Sequence, residues 1–347
     1  MGETDRDSSN EVRNQQVLLA RHPEGIAGPG DFEIVETPMP SPGDGQFLVE
    51  AHYVGLDAAL RLIVRDTDEF LFRVRPGDLV HGSSVGRVVE SNHPGFGVGD
   101  AVMGSFGVQR FAVSDGQGAE LCDESLAPLS SWLGGFGNAG LTAYFALYDA
   151  CRVQPGQTVV VNGAAGAVGS MAGQFAKLAS ARTIGLAGTA EKCEWLVSEL
   201  GYDVAICYRD ADWFAQLERA CPDGIDVVFD NVGGDVMNDS LKLLALNSIV
   251  LLCGSTSQYS QAEMVGPSNY IWLGTMRARL QGFVVFDYAD RFPIARKRMS
   301  EWLATNRLKL PEHRVYGTLD EFPGAFRGLY EGENLGKMVL ALPASES

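Results

Sequence analysis

Cysteine and histidine are sparse and scattered. The six cysteines, Cys122, Cys151, Cys193, Cys207, Cys221 and Cys253, include no CxxC pair, and the five histidines, His22, His52, His81, His93 and His313, are equally dispersed. That spacing offers no compact ligand set and argues against a zinc site. It also argues against a disulfide framework and fits free thiols in a reducing cytoplasm. Basic charge is short as well: 27 Lys+Arg against 44 Asp+Glu leaves a net charge of −17. A nucleic-acid partner needs a basic face, which this balance denies. No run approaches ~18 apolar residues, so no membrane span is expected. Residues Met1–Asn14 lack the basic start and apolar centre of a secretion signal and read, to about residue 15, as a disordered tail. Internal repeats and low-complexity segments are missing too.

What is present is a chain of 347 residues, 46% hydrophobic, long enough for two domains. Gln16–Arg21, Phe47–Val54, Leu79–Glu90 and Ala101–Val113 read as strands broken by Gly and Pro clusters, so the first part is mostly β. Leu129–Arg152 changes to a three-to-four-residue apolar period, which predicts a helix ended by Pro155-Gly156. From Thr158 strands and helices alternate. Val159–Asn162, Thr183–Ala187, Val204–Cys207, Asp226–Asp230 and Ser248–Cys253 are the strands. Ser170–Leu178, Glu191–Leu200, Asp212–Ala220 and Asp235–Leu244 are the helices between them. Such alternation implies right-handed βαβ units and a parallel sheet. A further helix is expected over Ala295–Thr305, and the last forty residues return to short strands ending in Lys337–Leu342. The expected division is 16–127, 128–309 and 310–347, with the last segment rejoining the first.

The most informative stretch is Val159–Gly169. An apolar strand runs into a turn of small residues, and a helical pattern follows. Ala164, Gly166 and Gly169 occupy the three slots of GxGxxG, with Ala in the first. Small residues let the backbone turn tightly and approach a pyrophosphate, and the last Gly lets the helix pack against its strand. Amides at the helix start then face the anion. After the second strand an NAD site usually carries an acid for the ribose 2′-hydroxyl. Here the segment is Gly188-Thr189-Ala190-Glu191-Lys192. Gly188 leaves room, and Lys192 offers a charge to a 2′-phosphate, which points to NADP. Lys192 is otherwise a solvated helix residue.

The chain resembles the zinc-independent medium-chain dehydrogenase/reductases. Within them it is similar to the leukotriene B4 12-hydroxydehydrogenase, prostaglandin reductase and alkenal double-bond reductase group. The resemblance covers Gln16 to Leu342. It is carried by Val89–Phe96, Gly140–Phe145, the Gly turn, Phe229-Asp230-Asn231-Val232-Gly233-Gly234, Cys253-Gly254 and Asn334-Leu335-Gly336-Lys337. It implies an α/β fold in which a Rossmann doubly wound parallel sheet is inserted in a GroES-like β domain, usually as a homodimer. It implies NADPH. By position it assigns Gly166, Ala167, Val168 and Gly169 to the pyrophosphate, and Lys192 and Tyr208 to the 2′-phosphate. Asn231, the loop Cys253, Gly254, Ser255, Thr256, Ser257 and Tyr259, the segment Phe283, Val284 and Val285, and Asn334 are assigned to the rest of the cofactor. Other uses stay open: Tyr208 as an interfacial aromatic, Asn231 as a turn cap, Cys253 as packing, and Phe283–Val285 as core strand.

The family reaction reduces a carbon–carbon double bond conjugated to a carbonyl, without a metal. Hydride goes to the β-carbon, charge moves through an enolate, and the α-carbon takes a proton. The protein must orient the alkene, exclude water and offer a donor to the oxyanion. Tyr259 is the candidate donor or acid; its other reading is a pocket wall. The loop Gln258–Trp272, with Met264, Tyr270 and Trp272, is expected to shape an apolar cleft for a small lipophilic enone or enal. One departure stands out. The group commonly reads Asp-Pro-Tyr-Met-Arg near the start of the β domain, and this chain reads Asp57-Ala58-Ala59-Leu60-Arg61. Ala59 replaces a cleft aromatic, which predicts a wider pocket or a different substrate class. Asp57 and Arg61 are expected to form an ion pair. A zinc-free quinone reductase and a non-catalytic NADPH-binding protein are the competing readings.

Overall fold

The computed structural model describes residues 13–67 and 73–344. The chain opens with β1 (Arg13–Leu19) and β2 (Phe32–Pro38), an antiparallel pair. β3 (Phe47–Gly55), the one-turn helix α1 (Leu60–Ile63), β4 (Ser84–Ser91), β5 (Ala101–Gly104), β6 (Phe111–Ser114) and β7 (Glu120–Leu121) follow. Strand β1 starts earlier than expected and takes in residues 13–15, which the sequence reading put in the tail; the rest of that tail lies outside the described residues. The reason is Asn14. It is buried, its Nδ2 donates to the Phe111 carbonyl at 2.9 Å, and its Oδ1 accepts from the Phe111 amide at 2.8 Å. A polar side chain here does the work of a ladder rung, so polarity did not mark disorder.

The expected long helix over Leu129–Arg152 is three pieces. A 3-10 turn (Leu129–Leu133) is followed by α2 (Asn138–Phe145) and then a π-helical turn (Ala146–Cys151). Gly134, Gly135 and Gly137 interrupt the helix, since glycine costs most in a helix interior.

The alternating half contains β8 (Thr158–Asn162), α3 (Ala167–Leu178), β9 (Arg182–Ala187), α4 (Ala190–Ser198), β10 (Val204–Cys207), α5 (Trp213–Ala220), β11 (Ile225–Asp230), α6 (Gly234–Ser240), β12 (Leu244–Leu252), α7 (Ile271–Thr275), β13 (Arg279–Gly282) and α8 (Phe292–Ala304). The six strands form one parallel sheet in the order β10-β9-β8-β11-β12-β13. Strand order reverses between β8 and β11, the switch point where such sheets leave a crevice. Val159, Val160 and Val161 are all fully buried because helices cover both faces. Their alternation shares them out: Val159 and Val161 pack with Phe175, Phe145 and Met299, and Val160 packs with Leu217 and Val236.

After α8 come β14 (Glu312–Tyr316), α9 (Phe322–Glu331) and β15 (Lys337–Ala341). β15 lies between β14 and β3, so the chain end completes a seven-stranded sheet begun by the first residues. Helix α9 was not expected. It starts with Pro323 in its first turn, where a missing N–H costs nothing, and its stacked pair Phe322 and Phe326 packs edge-on against Phe32. The two sheets meet where Gly336 donates to the Ala165 carbonyl at 2.9 Å. Gly336 has φ +76°, and a Cβ there would sit 2.3 Å from the Pro311 carbonyl oxygen, so only glycine fits this joint.

Candidate active site

A cleft of about 410 Å³ opens at the carboxyl ends of β8, β9 and β11, between the parallel sheet and the β unit. That volume lies in the range of small-molecule sites. One wall is the turn after β8. Gly166, Ala167, Val168 and Gly169 line it, and α3 begins there. The amides of the first helical turn have no carbonyl four residues back to bond. A Cβ on Gly169 would meet the Gly163 carbonyl oxygen at 2.3 Å and Ala164 Cα at 2.7 Å, so the helix packs on its strand at glycine distance. Gly166 differs. A Cβ there would touch only the Gly163 oxygen, at 3.4 Å, and would otherwise project into open space beside the cleft. The turn thus leaves a small-residue cradle facing the positive end of α3, a fit for a diphosphate.

The ends of β9 and β10 supply charge. Lys192 stands in the first turn of α4, where Thr189 Oγ1 accepts from its amide at 3.2 Å. Burial, and then the nearby guanidinium of Arg209, lower the Lys192 pKa, while Glu191 opposes them. Tyr208 lines the same corner: a Cβ on Gly188 would sit 3.0 Å from its hydroxyl and 3.7 Å from Arg209 Cζ. Among the described residues neither Lys192 nor Arg209 has an ion-pair partner. Two unpaired cations within a chain of net charge −17 form a site for an added phosphate. Arg209 was missed by the sequence reading. The signal was there, a Tyr-Arg pair directly after β10, but nothing local says that it faces Lys192.

The floor is built on Asp230 at the end of β11. Its backbone carbonyl accepts from the amides of Cys253 and Gly254 at 2.9 and 3.1 Å. Its carboxylate accepts from Asn162 Nδ2 at 2.7 Å and from the Gly233 amide at 2.9 Å. Burial pushes this carboxyl up to about 6 despite those bonds. Asn231 donates to the Asn162 carbonyl at 2.9 Å, and Thr256 and Ser257 bond the carbonyls of Asn231 and Val232. The loop after β12 is thereby tied across the turn after β11. It brings Asn231, Cys253, Gly254, Thr256, Ser257 and Tyr259 to one surface. The Cys253 thiol is pushed up to about 12 by burial and by Asp230, so it stays protonated and packs.

The Tyr259 hydroxyl accepts from the Ser255 amide at 3.1 Å. Accepting this bond leaves the O–H proton free to donate into the cleft. Burial raises its pKa, so the phenol stays neutral, as a hydrogen-bond donor must. Asn334 lines the cleft opposite, held by a 2.7 Å bond from its Nδ2 to the Gly336 carbonyl.

The remaining candidates fall in different places. Ser255 lies between the lining residues Gly254 and Thr256 and gives its amide to the Tyr259 hydroxyl. Phe283, Val284 and Val285 directly follow β13, at the end of the parallel sheet. Phe283 stacks on Tyr288 at 5.5 Å, Val285 is core, and Val284 is 55% exposed. Met264, Tyr270 and Trp272 are exposed rather than lining. Their apolar character belongs to the outer surface beyond β12. Asp57 and Arg61 do not pair. Asp57 pairs with Lys337, which also donates to the Leu56 carbonyl at 3.1 Å, and Arg61 donates to the carbonyls of Gly25 and Pro23 at 2.9 Å each. The apolar wall comes instead from residues far apart in sequence: Leu56, Ala58, Ala59, Leu329, Tyr330 and Met338.

Comparison with known proteins fits this geometry. Residues 15–122 match a family model described as the N-terminal domain of oxidoreductase, and residues 167–301 match one described as zinc-binding dehydrogenase. Among the described residues no three His, Cys, Asp or Glu side chains gather to hold a metal ion. The NADPH-dependent curcumin reductase of Escherichia coli (strain K12) is 36% identical over 342 residues, covering 96% of this chain and 98% of that protein. Prostaglandin reductase 1 of Bos taurus is 36% identical over 336 residues, covering 95% and 99%. The crystal structure of CurA in complex with NADPH from Vibrio vulnificus superposes with a TM-score of 0.90 at 36% identity, covering 95% of this chain and 99% of that one. The chain is an oxidoreductase of the zinc-independent medium-chain dehydrogenase/reductase family, in the prostaglandin reductase and alkenal reductase group.

Proposed function

We propose that this protein uses NADPH to reduce the carbon–carbon double bond of small lipophilic α,β-unsaturated ketones or aldehydes. One observation carries the reading: the Tyr259 hydroxyl, with its proton uncommitted, lines the same cleft as the Gly166–Gly169 cradle. In this reading Gly166, Ala167, Val168 and Gly169 hold the diphosphate, and Lys192, Tyr208 and Arg209 hold the 2′-phosphate. Asn231, the 253–259 loop and Asn334 position the nicotinamide half. Residues 128–309 form the cofactor unit, and 16–127 with 310–347 form the substrate unit.

NADPH held by these residues would supply the hydride that goes to the β-carbon of the conjugated alkene. Tyr259 donates a hydrogen bond to the carbonyl oxygen as enolate charge gathers on it, and the α-carbon takes a proton drawn from solvent, which completes the reduction. Leu56, Leu329 and Met338 exclude water, which strengthens that hydrogen bond. The apolar wall supports a lipophilic substrate. The six free cysteines support a reducing, cytoplasmic setting, and no helix among the described residues is long and apolar enough to cross a membrane. A homodimer is part of the same reading.

The test is NADPH consumption over a panel of enals, enones and quinones, with product identification. Saturated carbonyl products are expected. Loss of one well-placed oxyanion donor typically costs ~100-fold or more in kcat, so Tyr259→Phe is expected to slow enone turnover by about that factor. Allylic alcohol products, or quinone turnover with none of the enones, would overturn the reading.

A further inference from the structure

Ala59 leaves the substrate wall short of an aromatic ring, and the cleft supplies one from elsewhere. Tyr330, in the last turn of α9, lines the cleft beside Ala59, Leu329 and Met338. Its ring is held from two sides. Phe326 lies behind it, edge-on, with centroids 5.6 Å apart at 70°. In front, its hydroxyl donates to the carbonyl of Ala58 at 2.5 Å, a bond between residues 272 positions apart in the sequence. A ring fixed in this way is a rigid face rather than a mobile side chain. The substitution and the ring therefore meet at one place: the tyrosine is tied to the backbone of the residue next to the missing aromatic.

We propose that Tyr330 is the specificity-determining wall of the substrate site. It replaces from α9 the aromatic surface that position 59 does not provide, and it selects planar, aryl-substituted enones over short aliphatic enals. Planar rings gain from stacking on a fixed phenol face, and a short alkyl chain gains less. Tyr259 lines the same cleft from the loop after β12. A flat enone would lie between the two phenols, with its carbonyl towards Tyr259 and its aryl group against Tyr330.

The inference rests on the double-bond reductase reading and is tested separately from it. The measurements are kcat and KM for 4-phenyl-3-buten-2-one and 2-hexenal, with NADPH Kd, in the wild type, Tyr330→Leu and the swap Ala59→Tyr/Tyr330→Leu. Tyr330→Leu is expected to lower the aryl-to-aliphatic ratio of kcat/KM about tenfold, chiefly through KM, with NADPH Kd within twofold of wild type. The swap is expected to restore the ratio at least partly, because it returns an aromatic to the same wall. An unchanged ratio in Tyr330→Leu, or a swap no better than the single variant, would overturn the inference; so would an NADPH Kd that rises with KM. If the wild type reduces neither compound, the reductase reading fails. The ratio of their Kd values on the NADP+-loaded protein then still reports on Tyr330, with the same expected loss and recovery.

Discussion

At the residue scale the cofactor preference turns on two cations. Lys192 was legible in the sequence because an acid is missing from the end of β9 and a lysine follows. Arg209 was not legible, since its approach to Lys192 depends on how β10 pairs with β9. A hydrogen bond to a charged group contributes about 1.5–3 kcal/mol, or roughly tenfold to a hundredfold in affinity. Lys192→Ala is therefore expected to weaken NADPH by about tenfold or more while NADH binding changes less than twofold. Arg209→Ala should act in the same direction. Titration calorimetry with both coenzymes checks this, and equal losses for the two would remove these side chains from the 2′-phosphate site. Asn14 and Asp57 teach the opposite lesson. Asn14 reads as tail and is a buried strand partner; Asp57 reads as an ion-pair partner for Arg61 and instead meets Lys337 from the far end of the chain.

At the element scale, the parallel strands and the Gly turn were legible because their signals are local. A strand buried on both faces must be apolar throughout, and a tight turn needs small residues. The breaks near Gly134 and the whole of α9 were not, since glycine and proline there read as loop punctuation until the helix is seen packing on Phe32. The turn after β11 shows what an element-level arrangement costs. Asp230 is fully buried and organises that turn, yet burial holds its carboxyl near 6, above the ordinary carboxylate value near 3.9. Between those two values the folded state binds more protons than the unfolded one. The contribution of Asp230 to stability thus falls as pH rises through that window, and its ionised form is carried at a cost above it. Asp230→Asn removes the titration. Relative to wild type, the variant is expected to gain about 1 kcal/mol between pH 5 and pH 8. Urea unfolding at the two pH values measures it, and a difference independent of pH would contradict the assignment.

At the scale of the whole molecule, the parallel sheet ends on β13, whose outer edge has no partner strand among the described residues. Ile271, Leu280, Val284 and Phe286 are exposed around that edge, at 66%, 41%, 55% and 63%. An open apolar edge is an aggregation hazard unless something covers it. The homodimer in the proposed reading would cover it with a second copy. Light scattering is expected to give twice the chain mass, and Leu280→Glu with Phe286→Glu should shift it to the monomer. A monomeric wild type at micromolar concentration would count against the dimer.

The sequence by itself determined what short range can dictate: the alternation that makes a parallel sheet, the small-residue turn that faces a diphosphate, and the missing acid that favours an added phosphate. Only the tertiary structure decided what fills the substrate side. That wall joins Leu56, Ala58 and Ala59 from the start of the chain to Leu329, Tyr330 and Met338 near its end. Their meeting depends on β15 pairing beside β3 and on Gly336 docking against Ala165. Contacts made across nearly three hundred residues leave no periodicity to read. They follow from the packing of two sheets, which no local pattern records.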